Sequence, residues 1–535
     1  MRNKQFLLSL AILLLSALRA EATTFTVKAG GGGNYTTISA CAAVAVAGDN
    51  CVIFAGTYNE TVTPAHSGSS GSPITFSTNP GDSVTVQGFN LGTLSYITIT
   101  GTASNPMVIT QAIVWLAITH SVFQYITNTG GTGGPCFGGN GWYQTGQPSS
   151  YNQFLNLTLQ YCGGTSNNSS GAIELEGDHN LVDNISVSYS QAAVTLSGQF
   201  NVIRNSSFGP TSTAVIGSNH SQPVENSVAC GGSSSDITGG MQHLLYENNY
   251  SAQWRGQNSH GTALITDTGS TTCGTTSNVF RLSQTMDSGS YSTEIYSSLN
   301  TYFYNDSFSN TQLDNGAKDL EDYQFHPSAP NSRTVNNIFA NMTRLGSTDW
   351  CIYADSPLTE NHNLCFNSGY SGSWNGPSSG GGISYDASDI FNKDPLYVNA
   401  DTNLQLQSGS PAIGVGGPLT TAVGSGTVST SLTVADAGFF SWGYGIPNVQ
   451  PDWIRIGPST TVQIASINYS TNVITLASPV SWASGAGVFL YKDSSGNIQL
   501  NSANPSLGAF PAGSTGGSTG SQSPAPPTNV QAIAK

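Results

Sequence analysis

The chain has 535 residues, of which only 8% are charged, with 62 glycines and a net charge of −15. So much Gly and Asn disfavours helices, and so acidic a surface repels nucleic acid and anionic membrane, so neither is expected as a partner. At 38% hydrophobic and 10% aromatic the chain can still bury a core, which excludes a disordered polymer.

The N-terminus reads as a secretory signal, residues 1–22. Arg2 and Lys4 precede an apolar run from Phe6 to Leu18, and Ala20-Glu21-Ala22 fits a small-x-small cleavage site. The expected location is secreted or extracellular, with or without attachment to a cell surface. No later segment is apolar and long enough for membrane insertion. Export implies an oxidising compartment, and the eight cysteines are even in number. The simplest pairing joins sequence neighbours: Cys41–Cys51, Cys136–Cys162, Cys230–Cys273 and Cys351–Cys365. No CxxC spacing supports zinc, and no metal ligands are assigned.

From the middle of the first half onward the chain repeats itself. Leu175, Gly177, Asn180, Val182 and Asn184 return as Leu196, Gly198, Asn201, Ile203 and Asn205, each 21 residues later. "HLLYENNY" (243–250), "TYFYNDSF" (301–308), "RTVNNIFAN" (333–341) and "TENHNLCFN" (359–367) follow the same pattern of short β-rich runs around an Asn. A period near 21 with strand-type alternation predicts a parallel β-solenoid, with Asn stacked at the coil corners. Residues 417–497 break the pattern. "PDWIRIG", "VQIASINYSTNVITLASPV" and "GVFLYKD" read as strands, with a hairpin at Ser470-Thr471-Asn472, so a small β-rich insertion is expected. Residues 512–535 form a Gly/Ser/Pro-rich tail.

On these repeats the chain resembles the right-handed parallel β-helix superfamily, similar in architecture to pectate lyases and related polysaccharide-active proteins. The resemblance implies an all-β fold: a right-handed parallel β-helix over 23–416 with a small C-terminal β-rich insertion. "GGGGNYTTISACAAVA" and "AGTYNETVTP" resemble the start of such proteins, which implies a capping helix from Thr37 to Ala47. "DPLYVNADTNLQLQSGSPAIGVG" and "NPSLGAF" resemble their last coils, which implies a closing strand within 498–511. The superfamily holds lyases, hydrolases, epimerases and non-catalytic adhesins, so fold does not fix activity. Its known catalytic motifs are missing here; Ser259-His260-Gly261 is only a partial echo of one.

Three regions carry candidate chemistry. Glu174 and Glu176 alternate with Ile173 and Leu175, so both should point outward about 7 Å apart, which overlaps glycosidase carboxylate spacing. Asp178 follows at the turn. Three acids together would raise one pKa, or could equally hold Ca²⁺, the one cofactor in view. The second region is "WRGQNSHGTALITD". Trp254 could stack on a sugar and Arg255 could bind a uronate, with His260 and Asp267 as catalytic candidates. The third is the charge-dense "NGAKDLEDYQFHP", whose Lys318, Asp319, Glu321 and Asp322 are expected to contact substrate. A solvated polar surface competes with function in each region. Asp183 and Arg204, 21 residues apart, should form a structural ion pair between coils. The reading is a secreted polysaccharide-binding and polysaccharide-degrading protein, a glycoside hydrolase or polysaccharide lyase, with hydrolysis favoured because acids outnumber bases. The alternative is a non-catalytic adhesin or cell-surface structural protein.

Overall fold

The computed structural model describes residues 22–130, 134–139, 147–162, 171–210, 222–226, 240–254, 260–265, 276–288, 291–295, 298–310, 321–325, 331–341, 350–354, 358–367 and 386–511. Within these, short strands separated by corners recur coil after coil, and each strand pairs in parallel with its equivalent one coil on. The chain is a parallel β-helix. One full coil runs through Leu181–Asp183 in a first sheet, Ser186–Ser188 in a second and Ala192–Ser197 in a third. The first sheet has 13 strands, from Thr24–Val27 to Leu358–Asn361. The 21-residue period is the observed register here: Leu175 pairs with Leu196, and Asp183 with Arg204.

Period-2 alternation decides what enters the core. In the first sheet Phe76, Ile99, Phe123, Phe154, Val182, Ile203, Tyr246, Phe280 and Phe303 follow one another in register, all buried. Their rings stack where they meet, as in Phe123–Phe154 at 5.1 Å and Phe280–Phe303 at 4.9 Å. The row then turns polar, ending in Thr334 and Glu360.

The corners explain the recurring Asn. Asn156, Asn184, Asn205, Asn248, Asn305 and Asn336 all have φ between 51° and 61°. Asn tolerates this left-handed conformation better than most residues. The next residue turns inward and accepts an amide from the preceding coil: Ser206 from Ile185, Asn249 from Ser206, Ser283 from Asn249, Asp306 from Ser283 and Asn337 from Asp306. A second inward ladder joins Asn152, Asn180 and Asn201. Buried corner amides are thereby satisfied without water.

The N-terminal cap is shorter than expected, a helix over Ile38–Ala42. Thr37 Oγ1 caps Ala40 N, and the Glu60 carboxylate accepts from Ile38 N and Ser39 N. Cys41–Cys51, Cys136–Cys162 and Cys351–Cys365 are disulfides; Cys230 and Cys273 lie outside the described residues. Among the described residues no helix is long and apolar enough to cross a membrane.

Two segments fold back over the solenoid. The first is a six-stranded antiparallel sheet between Thr420 and Lys492. Its two edge strands meet at the Ala422–Val434 bridge, closing it into a small barrel. The Thr460–Asn468 and Val473–Trp482 strands form the hairpin at Ser470–Asn472. This barrel sits on the outer face of the first sheet. Leu181, Val202, Leu245, Val279 and Tyr302 point outward there into one apolar cluster with Phe439, Phe440 and Ile454. The second segment covers the second sheet. Tyr250, Met286, Ile338 and Leu364 point outward against Tyr397, Leu404, Ala412 and Leu507. The expected closing strand is absent. Pro505 and Gly508 (φ 80°) interrupt the segment. It lies instead along a corner, with Asn305 Nδ2 donating to Ser506 O and Gly508 N donating to Asn336 O.

Candidate functional site

The first sheet is covered in this way from Leu181 on and the second from Tyr250 on, and the third sheet holds the sequence candidates. Gly171–Glu176, Ala192–Ser197, Gln222–Asn226, His260–Ile265, Tyr291–Ile295, Glu321–Phe325 and Trp350–Ala354 stack in that order. Strands from all three candidate regions therefore share one sheet. At about 4.8 Å per strand, His260 lies three rungs and Glu321 five rungs beyond Glu174. These are roughly 14 and 24 Å, so the regions are aligned on one sheet and do not form a single contact cluster.

Glu174 and Glu176 are half-buried and point outward, while Ile173 and Leu175 fill the core. Gly138 of the preceding coil is backed onto this pair; a Cβ there would stand 2.9 Å from Glu174 Cβ. One coil on, Thr195 pairs with Glu174 and Ser197 with Glu176. Both hydroxyls are buried and have no hydrogen-bond partner. Two carboxylates and two unsatisfied hydroxyls thus occupy four neighbouring outward positions. A buried hydroxyl without a partner costs about 1–3 kcal/mol; both hydroxyls lie under cover, and the two carboxylates are the part of this patch that reaches solvent.

Asp178 does not join them. Its Oδ1 accepts the amide of Gln199 at 2.7 Å and fixes the corner of the next coil. The expected three-acid cluster is therefore corrected to a pair, because Asp178 sits past the corner and its carboxylate is used by the backbone. Among the described residues no group of three or more His, Cys, Asp or Glu could hold a metal ion. The Ca²⁺ expectation thereby loses the Asp178 ligand it was built on.

Trp254 is also corrected. It is 1% exposed and belongs to the solenoid core, so its ring does not face a ligand. It follows the Tyr250–Ala252 strand just past the left-handed corner residue Gln253, a position that the loop-like sequence "WRGQNS" concealed. His260 opens the strand His260–Ile265, and Glu321 and Asp322 open the strand Glu321–Phe325. Arg255, Asp267, Lys318 and Asp319 lie outside the described residues.

Sequence reasoning missed other residues of this sheet. Glu225 and Glu294 occupy the same register row as Glu174, through Thr195 and Leu264. Only the pairing reveals this, because loops of unequal length separate these strands. The sheet is also flanked by aromatic corners. On one side Tyr96, His120, Tyr151 and His179 stack at 4.7–4.9 Å, and Phe200 and His243 continue the column. Burial lowers the pKa of His179, with Asp178 opposing it, and pushes His243 down to about 4. On the other side Tyr161 stacks on Tyr189.

No protein-family model matches the chain, and no curated protein does. Solved structures do. XylC, in a complex structure with xylose, is 11% identical; the match covers 91% of this chain and 98% of that one, with a TM-score of 0.45. An alginate lyase from Paenibacillus sp. str. FPU-7 is 12% identical over 69% of this chain and 99% of its own, TM-score 0.31. Pectate lyase Pel9A is 13% identical over 74% of this chain and 92% of its own, TM-score 0.32. At these values no residue of this chain takes a role from them.

Proposed function

We propose that this is an exported protein that binds a polysaccharide along its third sheet and cleaves it at Glu174 and Glu176. One observation carries the reading. The chain's own barrel covers the first sheet from Leu181 on and its returning segment covers the second from Tyr250 on, while the outward, half-buried acid pair Glu174 and Glu176 lies on the third. A stack of parallel strands presents a long straight surface that matches an extended polymer.

In this reading Glu176 and Glu174 divide the two carboxylate roles of glycoside cleavage. One protonates the leaving oxygen, and the other activates water or attacks the sugar. Acids outnumber bases in the chain, 29 to 14, and such a balance repels a polyanion. A neutral polymer and hydrolysis are therefore favoured over eliminative cleavage of a polyuronate.

The test is a screen of the full chain on neutral and acidic glycans, with Glu176→Gln beside it. Hydrolysis releases new reducing ends without an unsaturated product; elimination adds ultraviolet absorbance. Loss of a catalytic acid or base should cut turnover about 10²–10⁴-fold. Undiminished turnover in Glu176→Gln would remove this pair from the mechanism. Binding without cleavage of any glycan would leave an adhesin.

A further inference from the structure

The corner between the second and third sheets carries a tyrosine pair that the cleavage chemistry does not use. Tyr161 follows the strand Thr158–Gln160, and Tyr189 follows Ser186–Ser188. Their rings stack at 4.8 Å with planes 10° apart. Both residues have left-handed backbones, φ 57° and 56°. At the equivalent corner of later coils stand Gln253, Asp287, Asn310, Asn341 and Asn367, also left-handed. Polar side chains suit that conformation, and an aromatic one is the costlier choice. The corner's geometry therefore does not explain the tyrosines.

Tyr161 is the open member of the pair. Tyr189 covers one face of its ring. The other face looks toward the preceding coil, where the register extends from Asn128–Leu159 to Gly130. Gly130 has no side chain to offer, and a Cβ there would strike Tyr161 O at 2.2 Å. Tyr161 is accordingly 57% exposed. Tyr151 provides the contrast. It is 40% exposed, yet its ring is sandwiched between His120 at 4.9 Å and His179 at 4.7 Å, so only its edge meets solvent.

The covalent frame ties this open ring to the acid pair. The next residue, Cys162, is bridged to Cys136, and its amide donates to Ser190 Oγ. Cys136 leads into Phe137–Gly138, which pairs with the strand of Glu174; Gly138 is the glycine backed onto that side chain. Gly171 begins that strand, and Glu174 lies three residues along it, about 10 Å.

We propose that Tyr161 is a stacking platform for a pyranose ring, at the corner beside the strand that carries Glu174. The apolar C–H face of a sugar packs on an aromatic face, and a ring already fixed by Tyr189 and the Cys136–Cys162 bridge loses little entropy on binding. This proposal rests on the polysaccharide reading above.

The experiment measures binding of the full chain to the soluble glycans of the screen by affinity electrophoresis and titration calorimetry. Tyr161→Ala should weaken binding at least tenfold. Tyr161→Phe and Tyr161→Trp, which keep a flat ring, should stay within about threefold, and Tyr151→Ala should do the same. Glu176→Gln should bind as the unmodified chain does while losing turnover, which separates platform from chemistry. Unchanged binding in Tyr161→Ala, with cleavage still sensitive to Glu176→Gln, would overturn the platform alone. Equal loss in Tyr161→Phe would overturn stacking in favour of the hydroxyl. A chain that binds no glycan would overturn both this proposal and the function it rests on.

Discussion

Two sheets of one solenoid carry outward carboxylates, and they differ in what the register sets beside them. In the first sheet Asp183, Arg204, Glu247 and Arg281 follow one another one coil at a time, alternating in sign. Asp452 of the barrel completes the row with two hydrogen bonds to Arg281, each 2.7 Å. In the third sheet Glu174 is paired with Thr195 and Glu176 with Ser197, and no base stands beside either acid one coil on. Alternating charges can be buried under a second domain because each finds its counter-ion. Acids set beside hydroxyls have no counter-ion in the register and keep a negative field, which is how a ligand surface differs from a structural seam.

The largest expected effect breaks the seam. Arg281, Glu247 and Asp452 are all fully buried. Burial works against the Arg281 charge, but Asp452 and Glu247 outweigh it and hold the guanidinium protonated. Arg281→Ala would strand two carboxylates, at about 3–5 kcal/mol. Chemical denaturation should show that loss, and limited proteolysis should show the barrel coming away from the first sheet.

A second test uses a charge in the same sheet that is answered by a proton instead of an ion pair. Glu360 ends the inward core row, where burial and neighbouring Asp389 push its carboxyl up to about 9. A folded pKa raised above the unfolded value favours folding at low pH. The stabilisation is full below the ordinary carboxyl range and is lost as pH rises through about 9. The melting temperature should therefore fall from pH 5 to 9, and Glu360→Gln should flatten that fall. An unchanged pH profile in Glu360→Gln would show that the end of the core row tolerates the charge.

Next in size is the exposed end of the seam. Asp183 is 18% exposed and meets Arg204 at 2.8 Å. Arg204 also donates to Ser494 O and Asn448 O, so it keeps acceptors without Asp183. Asp183→Asn should cost about 1–2 kcal/mol in denaturation, well below Arg281→Ala. Equal losses would mean that the row acts as one unit.

How far this contrast is legible in the sequence depends on loop length. Asp183 and Arg204 are one 21-residue period apart, so their pairing can be read directly, as can Ile173 and Leu175 facing in beneath Glu174 and Glu176. Glu247 and Arg281 are 34 residues apart, and Asp452 is 171 from Arg281. Extra residues between strands erase the period, so neither pairing shows in the sequence, and Glu225 and Glu294 disappear from view in the same way. Trp254 misleads for a different reason. Its neighbours are polar and Gly-containing, yet the corner turns its ring into the core. Asp178 looks like a third acid until the corner amide of Gln199 claims it. Alternation and period are local signals; burial beneath a distant segment is not.

The smallest expected effect on stability sharpens the contrast most. If Glu174 and Glu176 serve a ligand, the fold does not need their charge. Glu174→Gln and Glu176→Gln should each stay within about 0.5 kcal/mol of the unmodified chain. Thr195→Val should be neutral or slightly stabilising, because it replaces a buried hydroxyl that has no partner with a group of the same shape. Turnover should fall steeply in the two glutamine variants. A loss of more than about 2 kcal/mol in either glutamine variant would place Glu174 or Glu176 with Arg281, as part of a seam. Near-zero cost with lost turnover would separate the two sheets, because only a residue kept for its ligand can be neutral to the fold and decisive for the reaction.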